Sequence, residues 1–296
     1  MCLDFIYIFI INKKNSVKIV FMITTKNING EKMNKFLLFI PCYNCEKEII
    51  KVLDSLIDYS KFFTEIIVID NGSKDNTLNN AIDWAKNHNI IPISIMQNKE
   101  NYNLGGSHKV AFNYAINNQF DYVAILHGDN QGDINDIKEI LEKEIYKNYD
   151  CCLGARFMKG SKLINYSPVR IAGNIGFNIL FSVFLFKKLY DLGAGLNIYS
   201  TNMLKSKFWL KYPDALTFNY LMTMALDFYK QKYMFFPLTW KEDGQISNVK
   251  VTSQGIDLLS KLFKYVFNKK GFINSELRTK PFNDYLSDLK YSNLVK

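Results

Sequence analysis

Arginine is scarce in this sequence, with only three among 37 basic residues: Arg156, Arg170 and Arg278. Proteins that read nucleic acids rely on arginine for bidentate contacts to bases and phosphates, so the composition argues against a nucleic-acid partner. The formal net charge is nevertheless +9. Such a charge suits an anionic membrane surface or a phosphorylated substrate, although an AT-rich genome would also produce a lysine excess.

Cysteines are few and irregularly spaced: Cys2, Cys42, Cys45, Cys151 and Cys152. An odd number without a regular pattern does not describe a disulfide framework, so we expect a reducing compartment. Cys42 and Cys45 have the spacing of a redox pair, but no thioredoxin-like pattern follows them and no second pair completes a zinc site. A redox role is therefore not expected.

Long apolar runs and common nucleotide fingerprints are also missing. The longest runs, Phe5–Ile11 and Ile175–Phe186, are shorter than the roughly 18 to 20 residues of a bilayer-spanning helix. Asp4 precedes the first run without a basic segment, which argues against a signal peptide. The sequence has no G-x-G-x-x-G fingerprint and no Walker A loop. We expect residues 1–34 to be an extension that lies outside the folded unit.

From residue 35 onwards, short apolar runs alternate with amphipathic stretches. We predict strands over Phe36–Ile40, Ile66–Ile69, Ile91–Met96 and Tyr122–Leu126, each followed by a helix, over Glu46–Ile57, Asn76–Lys86, 104–117 and Ile134–Tyr146. This alternation predicts an α/β fold with a mostly parallel central sheet and helices on both faces. Ligands of such sheets bind outside the carboxyl ends of the strands.

In the second half of the chain, the predicted strands and helices no longer alternate regularly. We predict strands over Cys151–Ala155 and Met234–Trp240, a helix over Phe218–Tyr229 and an amphipathic helix over Gln254–Asn268 with a basic rim. Residues 171–186 and 254–270 could lie on an anionic bilayer. They could equally be ordinary core and packing helices.

Polar residues gather at three of the predicted strand ends, with Tyr43 and Asn44 after the first. Asp70 and Asn71 end the second strand, where a carboxylate can accept hydrogen bonds from a nucleobase or ribose and the next helix supplies backbone donors. Asp129 follows the fourth strand and offers a hard oxygen ligand for a metal-bound diphosphate, with Gln131 adding an amide oxygen and His127 a nitrogen. Each of the last two segments has an alternative interpretation as a capped turn.

Paired glycines open the third predicted helix. Gly105 and Gly106 permit close approach of a ligand to the backbone, and Lys109 could neutralise a phosphate. A flexible loop before an ordinary helix would have the same composition.

Four motifs in this order resemble the family-2 inverting glycosyltransferases, and most closely the branch of dolichyl-phosphate mannose synthase and its bacterial relatives. They are Ile40-Pro41-Cys42-Tyr43-Asn44, Asp70-Asn71-Gly72-Ser73, Asn103-Leu104-Gly105-Gly106 and His127-Gly128-Asp129-Asn130-Gln131. The resemblance implies a GT-A fold, a UDP- or GDP-sugar donor and Mn²⁺ or Mg²⁺ as cofactor. It covers residues 35–250, with a nucleotide-sugar half over 35–150 and an acceptor half over 151–250, and leaves 251–296 as a C-terminal segment of amphipathic helices.

The resemblance also implies roles for individual residues. The predicted nucleotide-sugar site comprises Pro41, Tyr43, Asn44, Glu46, Asp70, Asn71, Gly105, Gly106, Lys109, Asp129 and Gln131. The predicted metal ligands are Asp129, His127 and Gln131, and the predicted phosphate and acceptor contacts are Arg156, Arg170 and Asp191. Asp129, Arg156, Glu242 and Asp243 are the candidate catalytic residues.

Three positions depart from the family pattern. Cys45 stands where a glutamate is usual, although Glu46 is adjacent, and His127 replaces the first acid of the D-x-D motif. Asn219 stands where relatives often carry an acid, which leaves the general base unassigned. An acceptor that is already an ionised phosphate needs no strong base, so this favours a lipid phosphate.

We therefore expect an inverting transfer to a polyprenyl-phosphate-type lipid by a peripheral enzyme at the cytoplasmic face of the membrane. Transfer to a glycan or glycolipid hydroxyl is the alternative, with Glu242 or Asp243 as base. A nucleotidyltransferase is disfavoured because Pro41–Glu46 lacks the glycine-rich basic signature of that class. A non-enzymatic alternative is a degenerate protein that binds a nucleotide-sugar without transferring the sugar. It is based on His127 and Asn219, which stand where the family usually carries acids.

Overall fold

The structure is a computed structural model that describes residues 6–11, 17–22, 34–88, 91–242, 251–279, 282 and 284–294. Met1–Lys35 and Phe36–Lys296 are two compact units. In the first unit, strands β1 (Ile6–Ile11) and β2 (Val17–Met22) pair in antiparallel orientation. The second unit contains all of the predicted site residues.

An eight-stranded sheet forms the centre of the second unit. Its strands are β3 (Phe36–Cys42), β4 (Glu65–Asp70), β5 (Ile93–Asn98), β6 (Tyr122–Leu126), β7 (Cys151–Ala155), β9 (Leu196–Ser200), β10 (Tyr233–Pro237) and β12 (Ser287–Ser292), while β8 (Lys162–Ile164) pairs separately with β11 (Thr239–Lys241). The order is β10-β7-β9-β6-β3-β4-β5-β12. Strands β6, β3, β4 and β5 run parallel, as do β7 and β10, whereas β9 and β12 are antiparallel to their neighbours.

Helices surround this sheet. They are α1 (Ile49–Ser55), α2 (Thr77–Asn87), α3 (Asn103–Asn117), α4 (Lys138–Glu142), α5 (Pro168–Leu185), α6 (Thr201–Leu204), α7 (Phe218–Phe228), α8 (Val251–Phe267) and α9 (Lys269–Ile273), with short 3-10 helices at Ile57–Phe62, Ile134–Ile137, Ile145–Asn148 and Phe208–Lys211. Successive side chains of β3 enter opposite cores: Leu37 and Phe39 join one apolar cluster, and Leu38 and Ile40 the other. Because both faces are covered, β3 is a continuous apolar run, which confirms the predicted α/β fold.

Two predicted elements are divided in the structure. The helix predicted over Ile134–Tyr146 consists of a 3-10 turn, the short α4 and a second 3-10 turn, with Glu144 in the left-handed region at φ 50°. The strand predicted over Met234–Trp240 ends at Pro237, which has no N–H to continue the ladder, and resumes as β11 in another sheet. Both differences have local causes.

Two expectations about helices were wrong. The segment 251–296 is not entirely helical, because β12 pairs with β5 at the edge of the central sheet. A membrane-length helix does exist: α5 has 18 residues with mean hydropathy 1.4, long and apolar enough to cross a bilayer by length and composition. Sequence reasoning missed it because Arg170 and Asn174 lie before the apolar run of Ile175–Phe186 without interrupting the helix. Pro168 opens this helix, where its fixed φ suits the first turn.

Candidate functional site

The carboxyl ends of β3, β4 and β6 meet at one edge of the sheet. Cys42 pairs with Asp70 across the parallel ladder, and the Gly128 N–H donates to the Pro41 carbonyl at 3.0 Å. A Cβ on Gly128 would lie 2.5 Å from the Cys42 Sγ, so only glycine lets the loop after β6 approach β3 so closely. The structure therefore brings Pro41, Asp70 and Asp129 to the same edge, as the sequence motifs predict.

Asp70 shapes the turn that follows β4. Its carboxylate is only 1% exposed and accepts hydrogen bonds from the N–H groups of Gly72 and Ser73 and from Gln97 Nε2, at 3.1 to 3.2 Å. Gly72 has a φ of 78°, which a residue with a side chain adopts only with strain. The turn interpretation is thus correct for Asp70, and contact with a nucleoside stays a prediction.

Asn44 and Glu46 join the loop after β3 to the loop after β4. The Lys74 N–H donates to Asn44 Oδ1 at 2.8 Å, and the Asn76 N–H donates to Glu46 Oε2 at 3.0 Å. Tyr43, between β3 and these contacts, is 41% exposed. The two carbonyl-bearing side chains hold the loops in register, and the phenol ring is left accessible for stacking on a base.

Asn71 extends the same network to the loop after β5. Its Oδ1 accepts from Asn98 Nδ2 at 2.8 Å and from the Tyr102 N–H at 2.9 Å, while its Nδ2 donates to Asn101 Oδ1 at 2.9 Å. Sequence reasoning missed Asn98 and its neighbour Gln97. They end β5 as Asp70 and Asn71 end β4, so the rule of polar residues at strand ends could have found them.

Asp129 lies in the loop after β6. Burial raises the pKa of its carboxyl group from 3.8 to about 6, although Oδ1 accepts a hydrogen bond from the Gln131 N–H at 3.2 Å. A cation beside a carboxylate favours its ionised form, so binding of a metal would reverse this shift. The described residues contain no cluster of three His, Cys, Asp or Glu side chains that could hold a metal. Asp129 and Gln131 fit a cation that takes its remaining ligands from a diphosphate.

His127 packs behind this loop. A Cβ on Gly195 would lie 2.8 Å from its Nδ1, and its Nε2 is buried without a hydrogen-bond partner among the residues the structure describes. Its ring is 6.3 Å from that of His108. Burial lowers the pKa of His127 to about 4, which keeps the imidazole neutral. The imidazole is neutral and packs against Gly195, and its metal-ligand role stays a prediction.

Lys109, Gly105 and Gly106 pack against the loop before α7, which argues against the phosphate role predicted for them. The Lys109 side chain is fully buried, and its Nζ contacts Asp214 Oδ1 at 2.6 Å and the Tyr212 carbonyl at 2.5 Å. The Gly105 N–H donates to the Asp214 carbonyl at 2.7 Å. The glycines permit close approach of the chain itself, because a Cβ on Gly105 would lie 2.5 Å from the Pro213 carbonyl oxygen in the loop before α7.

Arg156 and Asp191 form a buried bidentate ion pair. Arg156 Nε and Nη2 donate to the two Asp191 oxygens at 2.7 and 2.9 Å, and the Gly193 N–H donates to Oδ1 at 3.0 Å. Burial alone raises the pKa of Asp191, but the guanidinium outweighs it and holds the pKa below its ordinary value. The two predicted phosphate and acceptor contacts are therefore engaged with each other, and Arg156 holds the 191–195 loop.

Arg170 and Glu242 are also paired. The Arg170 Nη1 donates to Glu242 Oε1, both side chains are partly exposed, and the guanidinium lies over the Tyr166 ring at 4.8 Å. The predicted base and a predicted phosphate contact thus meet at the rim of the site. Asp243, the other candidate base, lies outside the described residues.

Comparison with known proteins places this geometry in a family. The glycosyl transferase family 2 profile matches residues 38–208. The UDP-N-acetylglucosamine–dolichyl-phosphate N-acetylglucosaminyltransferase of Methanococcus voltae is 28% identical over 180 residues, covering 57% of this chain and 70% of that protein. A dolichyl-phosphate beta-glucosyltransferase of Trichomonas vaginalis is 22% identical over 237 residues, covering 74% of this chain and 68% of that protein.

A solved structure shares the fold. S. aureus TarS 1-349, crystallised with UDP-GlcNAc, superposes with a TM-score of 0.54 at 19% identity, covering 78% of this chain and 66% of that chain. This likeness confirms the predicted GT-A fold. Because the family profile spans more than half of the sequence, the chain belongs to glycosyl transferase family 2.

Proposed function

We propose that the protein moves a sugar, with inversion at the anomeric carbon, from a UDP- or GDP-sugar to a polyprenyl-phosphate-type lipid. The two relatives named above are dolichyl-phosphate glycosyltransferases by name. The thiols of Cys42, Cys45, Cys151 and Cys152 are buried and free, which suits a reducing compartment. The proposed place of action is therefore the cytoplasmic face of a membrane.

The observation that carries the choice of acceptor is the state of the candidate base. A hydroxyl acceptor needs a carboxylate to take its proton, but Glu242 is paired with Arg170. Asn219, at the position where relatives often carry an acid, is an amide that donates to the Ala194 carbonyl at 3.4 Å. A phosphate oxygen is already ionised at neutral pH and attacks without a base, so the described residues support a phosphate acceptor.

The donor would lie along the carboxyl edge of the sheet. Tyr43, Asn44 and Asp70 are the proposed nucleoside contacts, and the diphosphate would extend to Asp129. Mn²⁺ or Mg²⁺, held by Asp129 and Gln131, would neutralise the charge that grows on the departing diphosphate. The water-poor surroundings that raise the pKa of Asp129 also strengthen its attraction to a cation.

Arg170 is the proposed contact for the acceptor phosphate. Its guanidinium is partly exposed and contacts Glu242 through Nη1 only, so it can exchange this carboxylate for a phosphate oxygen. Arg156 is assigned to positioning, because Asp191 already occupies its Nε and Nη2 donors. Release of Glu242 on acceptor binding would remove one carboxylate from a site that then holds the donor diphosphate, the acceptor phosphate and a compensating cation.

The test is transfer of radiolabelled sugar from UDP- and GDP-sugars, with Mn²⁺, to a short polyprenyl phosphate and to the matching polyprenol. We expect product from the phosphate only, with an inverted anomeric configuration by NMR. Glu242→Gln should keep substantial activity with the phosphate acceptor, since no base is required there. Transfer to the polyprenol or a glycolipid hydroxyl, abolished by Glu242→Gln, would establish the hydroxyl-acceptor alternative. Donor binding without any product would establish a non-catalytic binder.

A further inference from the structure

Helix α5 has an exposed face without a single charged residue. Along this face lie Val169, Ile179 and Val183, and Phe186 follows at the left-handed C-cap, with 80% of Val169 and 93% of Phe186 exposed. Between them the exposed positions are Ala172, Gly173, Ile175 and Gly176. Such a surface is unfavourable in water, because each exposed aliphatic side chain would gain free energy by moving from water into an apolar environment.

The opposite face of α5 packs into the protein. Phe181 and Leu185 belong to the core, and the Asn178 Nδ2 donates to the Tyr190 carbonyl at 2.8 Å. A bilayer-spanning helix would need lipid or apolar protein all round its circumference along the hydrocarbon depth. Because one side of α5 carries polar contacts to the folded domain, its apolar outer face fits the plane of a membrane interface.

Helix α8 continues this face. Its exposed apolar residues Ile256, Phe263 and Phe267 follow helical spacing, while Leu258 and Leu262 are buried beneath. The Phe184 and Phe263 rings are 5.9 Å apart, so the two helices adjoin. Of the 13 large hydrophobic side chains that are exposed in the described residues, eight lie on α5, its C-cap and α8: Val169, Ile175, Ile179, Val183, Phe186, Ile256, Phe263 and Phe267.

Basic residues border this apolar surface. Lys187 and Lys188 directly follow Phe186, Lys264 adjoins Phe263, and Lys269 and Lys270 follow the end of α8. All five are exposed. Ammonium groups at the rim of an apolar face complement lipid phosphates, whereas a protein partner or a second copy would require matching acidic groups around an apolar patch.

We infer that α5 and α8 together form an in-plane docking surface for an anionic bilayer, with their phenylalanines inserted to the depth of the acyl-chain boundary. Arg170, on the first turn of α5, would then stand at the membrane end of the candidate site. This placement would let a lipid phosphate reach the guanidinium while its chain stays in the bilayer. The choice of substrate rests on the proposed function, but the docking surface itself does not.

Vesicle binding tests this inference without turnover. Large vesicles of phosphatidylcholine, alone or mixed equally with phosphatidylglycerol, are sedimented with the full chain. We expect binding to the anionic vesicles, weakened at least about tenfold by Ile179→Ser/Val183→Ser/Phe186→Ser and by Phe263→Ser/Phe267→Ser. Lys188→Gln/Lys264→Gln should weaken it about fivefold per lysine. The matched control, Leu286→Ser/Leu289→Ser, changes exposed leucines outside this surface and should bind like wild type.

Insertion depth distinguishes docking from spanning. In Phe186→Trp and Phe267→Trp, lipids brominated near the headgroup should quench the new indole more than lipids brominated at the chain ends. Native Trp84, Trp209 and Trp240 are buried and give a constant background. Strongest quenching at the chain ends would overturn the in-plane arrangement.

Two further outcomes would also overturn it. One is equal vesicle binding by the wild type and both apolar variants. The other is a dimer in sedimentation velocity that the same substitutions dissociate, with no vesicle binding, which would make the surface an interface between copies. A thermal shift with the nucleotide-sugar donor should be unchanged in every variant. If the donor produced no thermal shift in the wild type, that result would count against the proposed function. It would leave the docking result unchanged.

Discussion

The loop after β6 and the first turns of α3 share one feature. In each, a glycine packs closely against another part of the chain, and a charged side chain lies nearby in sequence. In the first, Gly128 lies against β3 and Asp129 is partly buried at the sheet edge. In the second, Gly105 lies against Pro213 and Lys109 is sealed by Asp214. Close packing therefore prepares a site only where the neighbouring charge keeps access to solvent, and otherwise it joins segments of the fold.

Removal of the Lys109 charge should give the largest effect on stability. In Lys109→Met, the buried Asp214 carboxylate loses its cation, and breaking a buried pair in this way costs about 3–5 kcal/mol. We expect the free energy of unfolding in urea to fall by that amount. At low temperature, where the variant stays folded, the KM for the donor should be unchanged.

The double variant Lys109→Met/Asp214→Leu is the matched control, since it removes both charges and should recover part of the loss. A raised donor KM in folded Lys109→Met would contradict the separation of the two regions, because it would return Lys109 to the phosphate site.

Asp129→Asn should give the opposite pattern. The substitution removes the charge proposed to hold the cation while keeping the shape of the loop, so we expect a loss of at least about 100-fold in kcat/KM. Burial disfavours the Asp129 carboxylate, so stability should be unchanged or slightly higher. Asp83→Asn, an exposed residue on α2, is the matched control. Unchanged transfer by Asp129→Asn would refute the metal assignment.

These two regions also show what sequence alone could predict. The parallel strands and the placement of Asp70 and Asp129 at one edge of the sheet followed from local apolar runs and from the rule that strand ends share an edge. The partner of Lys109 could not be predicted, because Asp214 is 105 positions away and no local pattern marks it. The same limit applies to Arg170 with Glu242 and to the return of β12 to the sheet, which depend on tertiary contacts.

Acid should destabilise the protein through His108, which lies between the two regions. Its Nδ1 bonds to the Leu104 carbonyl at 2.8 Å, and burial lowers its pKa from 6.5 to about 3. Below pH 6.5, His108 is protonated in the unfolded chain but stays neutral in the folded chain. Its contribution therefore lowers the free energy of unfolding by about 1.4 kcal/mol for each pH unit.

The raised pKa of Asp129 stabilises the folded protein as the pH falls from about 6 to 4, which opposes the effect of His108. The contribution of His108 is therefore measured by comparing the pH dependence of the wild type with that of a His108 variant. Urea unfolding at pH 7 and pH 5 should show a steeper loss for wild type than for His108→Gln, although the variant starts less stable. Equal pH dependence in the two proteins would show that His108 titrates normally in the folded state.

The glycines give the most direct contrast between the two regions, and Gly173 gives the smallest effect. A methyl group at Gly105 would meet the Pro213 carbonyl at 2.5 Å, and one at Gly128 would meet the Cys42 Sγ at 2.5 Å, so each alanine should cost about 1–3 kcal/mol of stability. Gly173, on the exposed face of α5, has open space around it, so Gly173→Ala should stabilise the helix by about 0.5–1 kcal/mol. Thermal unfolding measures all three. Only Gly128→Ala should also lower donor affinity, because it displaces the loop that carries Asp129, and an equal loss of affinity in Gly105→Ala would show that the α3 turn takes part in the donor site.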